Sequence, residues 1–108
     1  MQALNEFTPL CKVSEVPKNG IKAFRINGRH YVVVEHAGKY ECLDGLCPHA
    51  QGLLAFGQVF KNYLYCSYHQ AVFDLDSGKP LPGSPTDQAL KKYEAKVVGD
   101  TIYAKIPR

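Results

Sequence analysis

The sequence predicts an all-β domain, an antiparallel sandwich or barrel, and three observations carry that expectation. Short runs of β-branched and aromatic residues recur along the chain, the strongest being Tyr31-Val32-Val33-Val34. Turn-forming pairs such as Asn27-Gly28, Ala37-Gly38, Asp44-Gly45 and Gly99-Asp100 separate them. No segment of useful length carries the apolar period of a helix, and no internal repeat is evident.

Taken in order, Phe7 to Ile26 reads as two short strands around the turn Ser14-Glu15-Val16-Pro17-Lys18-Asn19-Gly20. Asn27-Gly28 has the chemistry of a tight hairpin and leads into a strand from Arg29 to His36. Ala37-Gly38 closes that strand before another from Lys39 to Leu43, so a meander is expected here. After Asp44-Gly45 the pattern changes to a loop, Cys47-Pro48-His49-Ala50-Gln51-Gly52, with no period of either kind. Val59-Phe60 and Tyr63-Leu64-Tyr65 form a hairpin around Lys61-Asn62 that runs into a second unusual loop, Cys66-Ser67-Tyr68-His69. A strand from Ala71 to Leu75 and the turn Asp76-Ser77-Gly78-Lys79 follow. Pro80-Leu81-Pro82-Gly83-Ser84-Pro85 is a stiff connection whose three prolines cannot donate to a sheet. Strands from Tyr93 to Val98 and from Thr101 to Ile106 complete the chain.

A length of 108 residues suits a single domain, 1–108, with a core that needs no disulfide staples. Its apolar and charged fractions are those of a globular protein. No run approaches the roughly 20 apolar residues that span a bilayer, and Met1 to Glu6 lacks the features of a signal peptide, so a cytoplasmic protein with no membrane association is expected. The formal charge of +3 comes from lysines scattered from Lys12 to Lys105. A nucleic-acid binder concentrates its basic residues on a stripe among stacking aromatics, and nucleic acid is accordingly not an expected partner.

The chemical signal is Cys-x-His at Cys47 and His49, sixteen intervening residues, then Cys-x-x-His at Cys66 and His69. Each loop offers one thiolate and one imidazole, and the hairpin between them can bring both tips to one metal centre. Structural zinc also takes two cysteines and two histidines, but draws them from Cys-x2–4-Cys and His-x3–5-His pairs. The order here is Cys, His, Cys, His, which suits a [2Fe–2S] centre in which two imidazoles replace two of four thiolates. A zinc-stabilised interaction module remains the alternative from a different class.

Cys47-Pro48-His49 and Cys66-Ser67-Tyr68-His69-Gln70-Ala71-Val72-Phe73-Asp74 resemble the two cluster-binding loops of Rieske proteins. Length, strand order and the proline-rich segment at 80–85 resemble the soluble Rieske ferredoxins of bacterial multicomponent aromatic-ring oxygenases. The resemblance implies the Rieske fold: a β base formed by 1–44 and 86–108, with a cluster-binding subdomain of two loops inserted at about 45–85. It implies one [2Fe–2S] cluster, with Cys47 and Cys66 on the inner iron and His49 and His69 on the outer, solvent-facing iron. It further implies a monomeric one-electron carrier, not an enzyme, served by a flavin-containing NAD(P)H-dependent ferredoxin reductase and serving a terminal oxygenase. A Rieske-like subunit of a larger oxidoreductase such as a nitrite reductase is the alternative within the family. Respiratory Rieske proteins carry a disulfide across the cluster and a serine that bonds a bridging sulfide. The matching positions here fall near Gly52, at Tyr68 and at Ala71, so a low potential is expected. Because a metal-bound imidazole is made more acidic, most of all when the cluster is oxidised, that potential is expected to be flat near neutral pH and to fall at alkaline pH.

Residues flanking the loops, among them Ala50, Gln51, Gly52, Gln70 and Pro82, are small or uncharged, which suits a modest, short-lived docking surface. Tyr68, between the second-loop ligands, is read as a shield over the cluster, with a hydrogen bond to sulfur as the alternative, and Leu81 to Pro85 resembles the proline loop that covers Rieske clusters. Cys42 and Cys47 have the spacing of a plant-type Cys-x4-Cys start, but Ala50 ends the series, so Cys42, like Cys11, is expected to be a buried small residue. His30 and His36, with no partner at ligand spacing, are expected to be structural or surface residues.

Overall fold

The computed structural model describes residues 7–46, 54, 57–66, 71–83 and 88–106. Among these residues ten strands form three antiparallel sheets. They are β1 (Thr8–Lys12), β2 (Ile21–Ile26), β3 (Arg29–His36), β4 (Lys39–Asp44), β5 (Gln58–Phe60), β6 (Tyr63–Tyr65), β7 (Val72–Asp74), β8 (Lys92–Tyr93), β9 (Ala95–Val98) and β10 (Thr101–Ala104). The sheets have the orders β1-β10-β9, β2-β3-β4-β8 and β5-β6-β7. A single 3-10 turn, Val13–Glu15, follows β1, and its Glu15 carboxylate accepts the Lys12 N–H at 2.9 Å. No helix among the described residues is long and apolar enough to cross a membrane.

The run Tyr31 to Val34 is apolar without alternation because β3 is covered on both faces. Val32 and Val34 face one core, with Leu43, Leu54, Val59, Leu64, Cys66, Ala71, Phe73, Leu75 and Leu90. Tyr31 and Val33 face the other, with Cys11, Val16, Cys42, Tyr93, Ile102, Ala104 and Ile106. The β2-β3-β4-β8 sheet is therefore the middle layer, with the β5-β6-β7 sheet on one side and β1-β10-β9 on the other.

The meander expected from the turn chemistry runs through β2, β3 and β4. It does not include β1, which leaves for the third sheet and pairs with β10 across a bulge between Pro9 and Cys11. The segment expected as one strand from Tyr93 to Val98 is divided at Glu94. β8 pairs with β4, while β9 pairs with β10, so the chain changes sheet at that residue. The Glu94 carbonyl stays satisfied by accepting the Lys105 N–H at 2.8 Å.

At the β3–β4 turn, Ala37 adopts φ 52° beside Gly38 at 77°, a left-handed pair in which an alanine is strained. The buried Glu35 carboxylate holds the turn, accepting the Gly38 N–H at 2.9 Å and the Asn19 N–H at 2.7 Å.

Candidate metal centre

Each expected ligand loop is closed at its foot by a short backbone hydrogen bond. The first leaves the end of β4 and returns at Leu54, whose N–H donates to the Gly45 carbonyl at 2.9 Å. The second is closed by the Cys66 N–H donating to the Ala71 carbonyl at 2.8 Å, immediately beyond β6 and immediately before β7. Leu54, Cys66 and Ala71 are all buried in the same core, so the two feet stand side by side on one apolar floor.

The approach to the first loop is pinned from several directions. The Tyr93 hydroxyl donates to Asp44 Oδ1 at 2.5 Å, the Asp44 N–H donates to the Lys91 carbonyl at 3.0 Å and the Gly45 N–H to the His30 carbonyl at 2.9 Å. Burial, reinforced by the neighbouring Asp44 carboxylate, raises the Tyr93 hydroxyl well above the ordinary phenol range and keeps it a donor. Between the loops, Gly57 lies so close to Tyr65 that a Cβ there would stand 2.2 Å from the Tyr65 carbonyl oxygen. This close approach couples the end of the first loop to the residue before Cys66.

The proline segment is aligned with the second loop. The Leu81 N–H donates to the Val72 carbonyl at 2.8 Å and Pro80 is bridged to Phe73, so this stretch runs antiparallel to β7 towards Ala71. Pro82 and Gly83 then turn the chain, with Gly83 at φ 91° as Pro-Gly turns of type II require.

Of the four expected ligands, Cys66 is placed at the foot of the second loop, only 3% exposed. Cys47, His49 and His69 lie outside the described residues, as do Tyr68, Ala50, Gln51, Gly52, Gln70, Ser84 and Pro85. Ala71 is fully buried and its side chain has no hydrogen to donate. The remaining two cysteines are free thiols in the opposite core. Burial pushes the Cys42 thiol up to about 12, with Asp44 and Cys11 adding to the effect, and raises Cys11 in the same direction. Both are poor thiolate donors, which leaves the two loops as the source of soft ligands. The donor set fits a cluster that takes two thiolates and two imidazoles. Sequence reasoning missed Gly57 and Leu54, whose roles arise from contacts across the fold and leave no local signal.

Two loop feet, closed by backbone hydrogen bonds on a shared buried floor and aligned with a proline turn, define a small β framework. The Rieske [2Fe-2S] domain family matches residues 6–94, and the chain belongs to that family. Its cofactor is accordingly a Rieske-type [2Fe–2S] cluster. The chain is 24% identical over 98 residues to the ferredoxin component of an alkene monooxygenase system from Xanthobacter autotrophicus, covering 90% of this chain and 79% of that protein. It is 26% identical over 88 residues to the ferredoxin component of a naphthalene 1,2-dioxygenase system from Pseudomonas aeruginosa, covering 82% and 84% of the two chains. Among solved structures, the ferredoxin of Sphingomonas yanoikuyae B1 superposes with a TM-score of 0.85 at 22% identity, covering 94% of this chain and 99% of that one. The ferredoxin of carbazole 1,9a-dioxygenase from Nocardioides aromaticivorans IC177 gives 0.78 at 25% identity, covering 90% and 96%. These relatives are electron-carrier components rather than catalytic subunits.

Proposed function

We propose that the chain is a low-potential one-electron carrier that receives electrons from a flavin-containing, NAD(P)H-dependent reductase and delivers them to a terminal oxygenase acting on an aromatic or related apolar substrate. The observation that carries this reading is the pair of loop feet, Gly45–Leu54 and Cys66–Ala71, set on one buried floor in a family member matching oxygenase ferredoxins over most of their length.

In this reading residues 45–85 form the cluster-binding unit and 1–44 with 86–108 form its base, within one domain. Cys47 and Cys66 would hold one iron, and His49 and His69 the other. A bound cluster of this type supplies reversible one-electron redox chemistry. The protein's own contribution is to exclude water beneath the loops with Leu54, Phe73 and Ala71, and to fix the backbone that carries Cys66. Ala71 withholds the hydroxyl that would stabilise added negative charge, which lowers the potential and favours donation to an oxygenase over acceptance from a quinol. The flanking residues are small and uncharged, which suits brief encounters between cytoplasmic, monomeric carriers and their partners.

The test is an anaerobic redox titration followed by electron paramagnetic resonance, with iron and sulfide assayed on the same sample. A Rieske-type signal that appears below about −100 mV, near the low end for this class, is the expected result. The same signal at clearly positive potential would replace the oxygenase role with a respiratory one. Bound zinc without any signal would overturn electron transfer.

A further inference from the structure

His36 is 1% exposed, lies at the end of β3, and takes no part in the ligand loops. Its Nδ1 lies 2.9 Å from Asn62 Oδ1, at the β5–β6 turn, and its Nε2 lies 3.0 Å from Glu41 Oε2, on β4. Asn62 Nδ2 in turn stands 2.6 Å from Asp76 Oδ2, in the turn after β7. Lys92, on β8, completes the group, with Nζ 3.1 Å from Glu41 Oε1 and 2.8 Å from the Asp76 carbonyl. Lys39 is the cross-strand partner of His36, and Lys61 adjoins Asn62 in its turn.

The direction of each hydrogen bond follows from what each group can do. An ionised carboxylate only accepts, so Asp76 fixes the amide side of Asn62 towards itself and leaves the Asn62 oxygen facing His36. That oxygen also only accepts, so Nδ1 must carry a hydrogen. Glu41, an acceptor held in place by Lys92, requires a hydrogen on Nε2. An imidazole with both hydrogens is a cation. The Glu41 carboxylate is then shared by two cations, His36 and Lys92, while the exposed Asp76 carboxylate acts on His36 only through the Asn62 amide.

We propose that His36 is held as a buried imidazolium and acts as a charged latch, tying the turns at the far ends of β6 and β7 to the middle sheet. Asn62 stands four residues before Cys66, about 13 Å away at the rise of a strand, so the latch fixes the end of the hairpin opposite the loop. His36, Glu41 and Asp76 also lie within 4.8 Å of one another, close enough to hold a metal ion. The latch excludes that use, because neither ring nitrogen has a lone pair to give and the Lys92 ammonium already stands against Glu41.

The experiment is a long-range nitrogen–proton correlation spectrum of the 15N-labelled full chain at neutral pH, with His36 assigned through its backbone. Two protonated ring nitrogens with slowly exchanging hydrogens are expected; one bare nitrogen overturns the proposal. Asp76→Asn, at an exposed position, provides the second arm. With a neutral neighbour the Asn62 amide is free to turn and donate to Nδ1, so His36 should lose one ring proton at the same pH. A ring that keeps both protons in that variant would overturn the relay through Asn62, and saturable zinc binding at His36 in the native protein would overturn the latch.

Discussion

Gly57→Ala tests whether the two loop feet are mechanically coupled. The added Cβ would stand 2.2 Å from the Tyr65 carbonyl oxygen and 3.2 Å from that of Leu54, against a floor of about 3.0 Å for real contacts of this kind. Both obstacles are backbone, and neither can swing aside as a flexible side chain would. Leu54 is further held because its carbonyl accepts the Gly57 N–H at 2.9 Å and its own N–H closes the first loop. Overpacking costs about 1–3 kcal/mol, and a backbone clash belongs at the upper end. A loss of about 3 kcal/mol lowers the Tm by roughly 12–24 °C for a chain of this size. Gly38→Ala is the reference, since a Cβ there meets nothing within 4 Å and only the φ of 77° opposes it, at about 1–2 kcal/mol. Thermal unfolding followed by circular dichroism compares the two, with iron content measured beforehand. Gly57→Ala should melt well below Gly38→Ala and carry less iron, because Tyr65 leads directly into Cys66. Equal melting temperatures and full iron content would refute the coupling.

Individual alanine substitutions of Cys47 and Cys66 should abolish cluster retention, whereas Cys42→Ala should keep full iron and lose only about 1 kcal/mol of stability, read by metal assay and denaturant unfolding. In the native fold Cys42 holds its proton up to about 12, while in the unfolded chain it is released near the ordinary value of 9.0. Its contribution is present below pH 9 and is lost as pH rises towards 12, by about 1 kcal/mol per pH unit. Unfolding measured across that range should therefore fall less steeply in Cys42→Ala. Ala37→Asn should raise stability by about 1 kcal/mol, because asparagine accepts the left-handed φ of 52° more readily; an unchanged denaturation midpoint would count against strain at that turn. Phe73→Ala, which empties a fully buried position beneath the second loop, should cost about 3–5 kcal/mol in the same assay.

Much of this was legible in the residues. The turn pairs marked the hairpins on either side of β3, and the unbroken apolar run from Tyr31 to Val34 agrees with a strand covered on both faces. The mixed order of thiolates and imidazoles pointed to the cluster before any fold was known, although only Cys66 of the four lies among the described residues. Glu94 gave no warning of the sheet change, because Tyr93 to Val98 has the composition of one strand and the choice of partner is made by β4 and β10, far away in sequence. His36 reads from the sequence as structural or surface; it is buried, and its network was invisible. Asn62 and Asp76 reach it only through the packing of one sheet on another, and no spacing rule connects them.

The pairing of Thr8 with Ala104 spans nearly the whole chain. During synthesis β1 must wait for β10 to emerge, while the β2–β4 and β5–β7 hairpins, built from neighbours, can close as they leave the ribosome. The loop feet rest on those early hairpins. The first foot is completed only later, when Leu90, Lys91 and Tyr93 arrive to close the floor and bond Asp44, and the last strands then seal the opposite face.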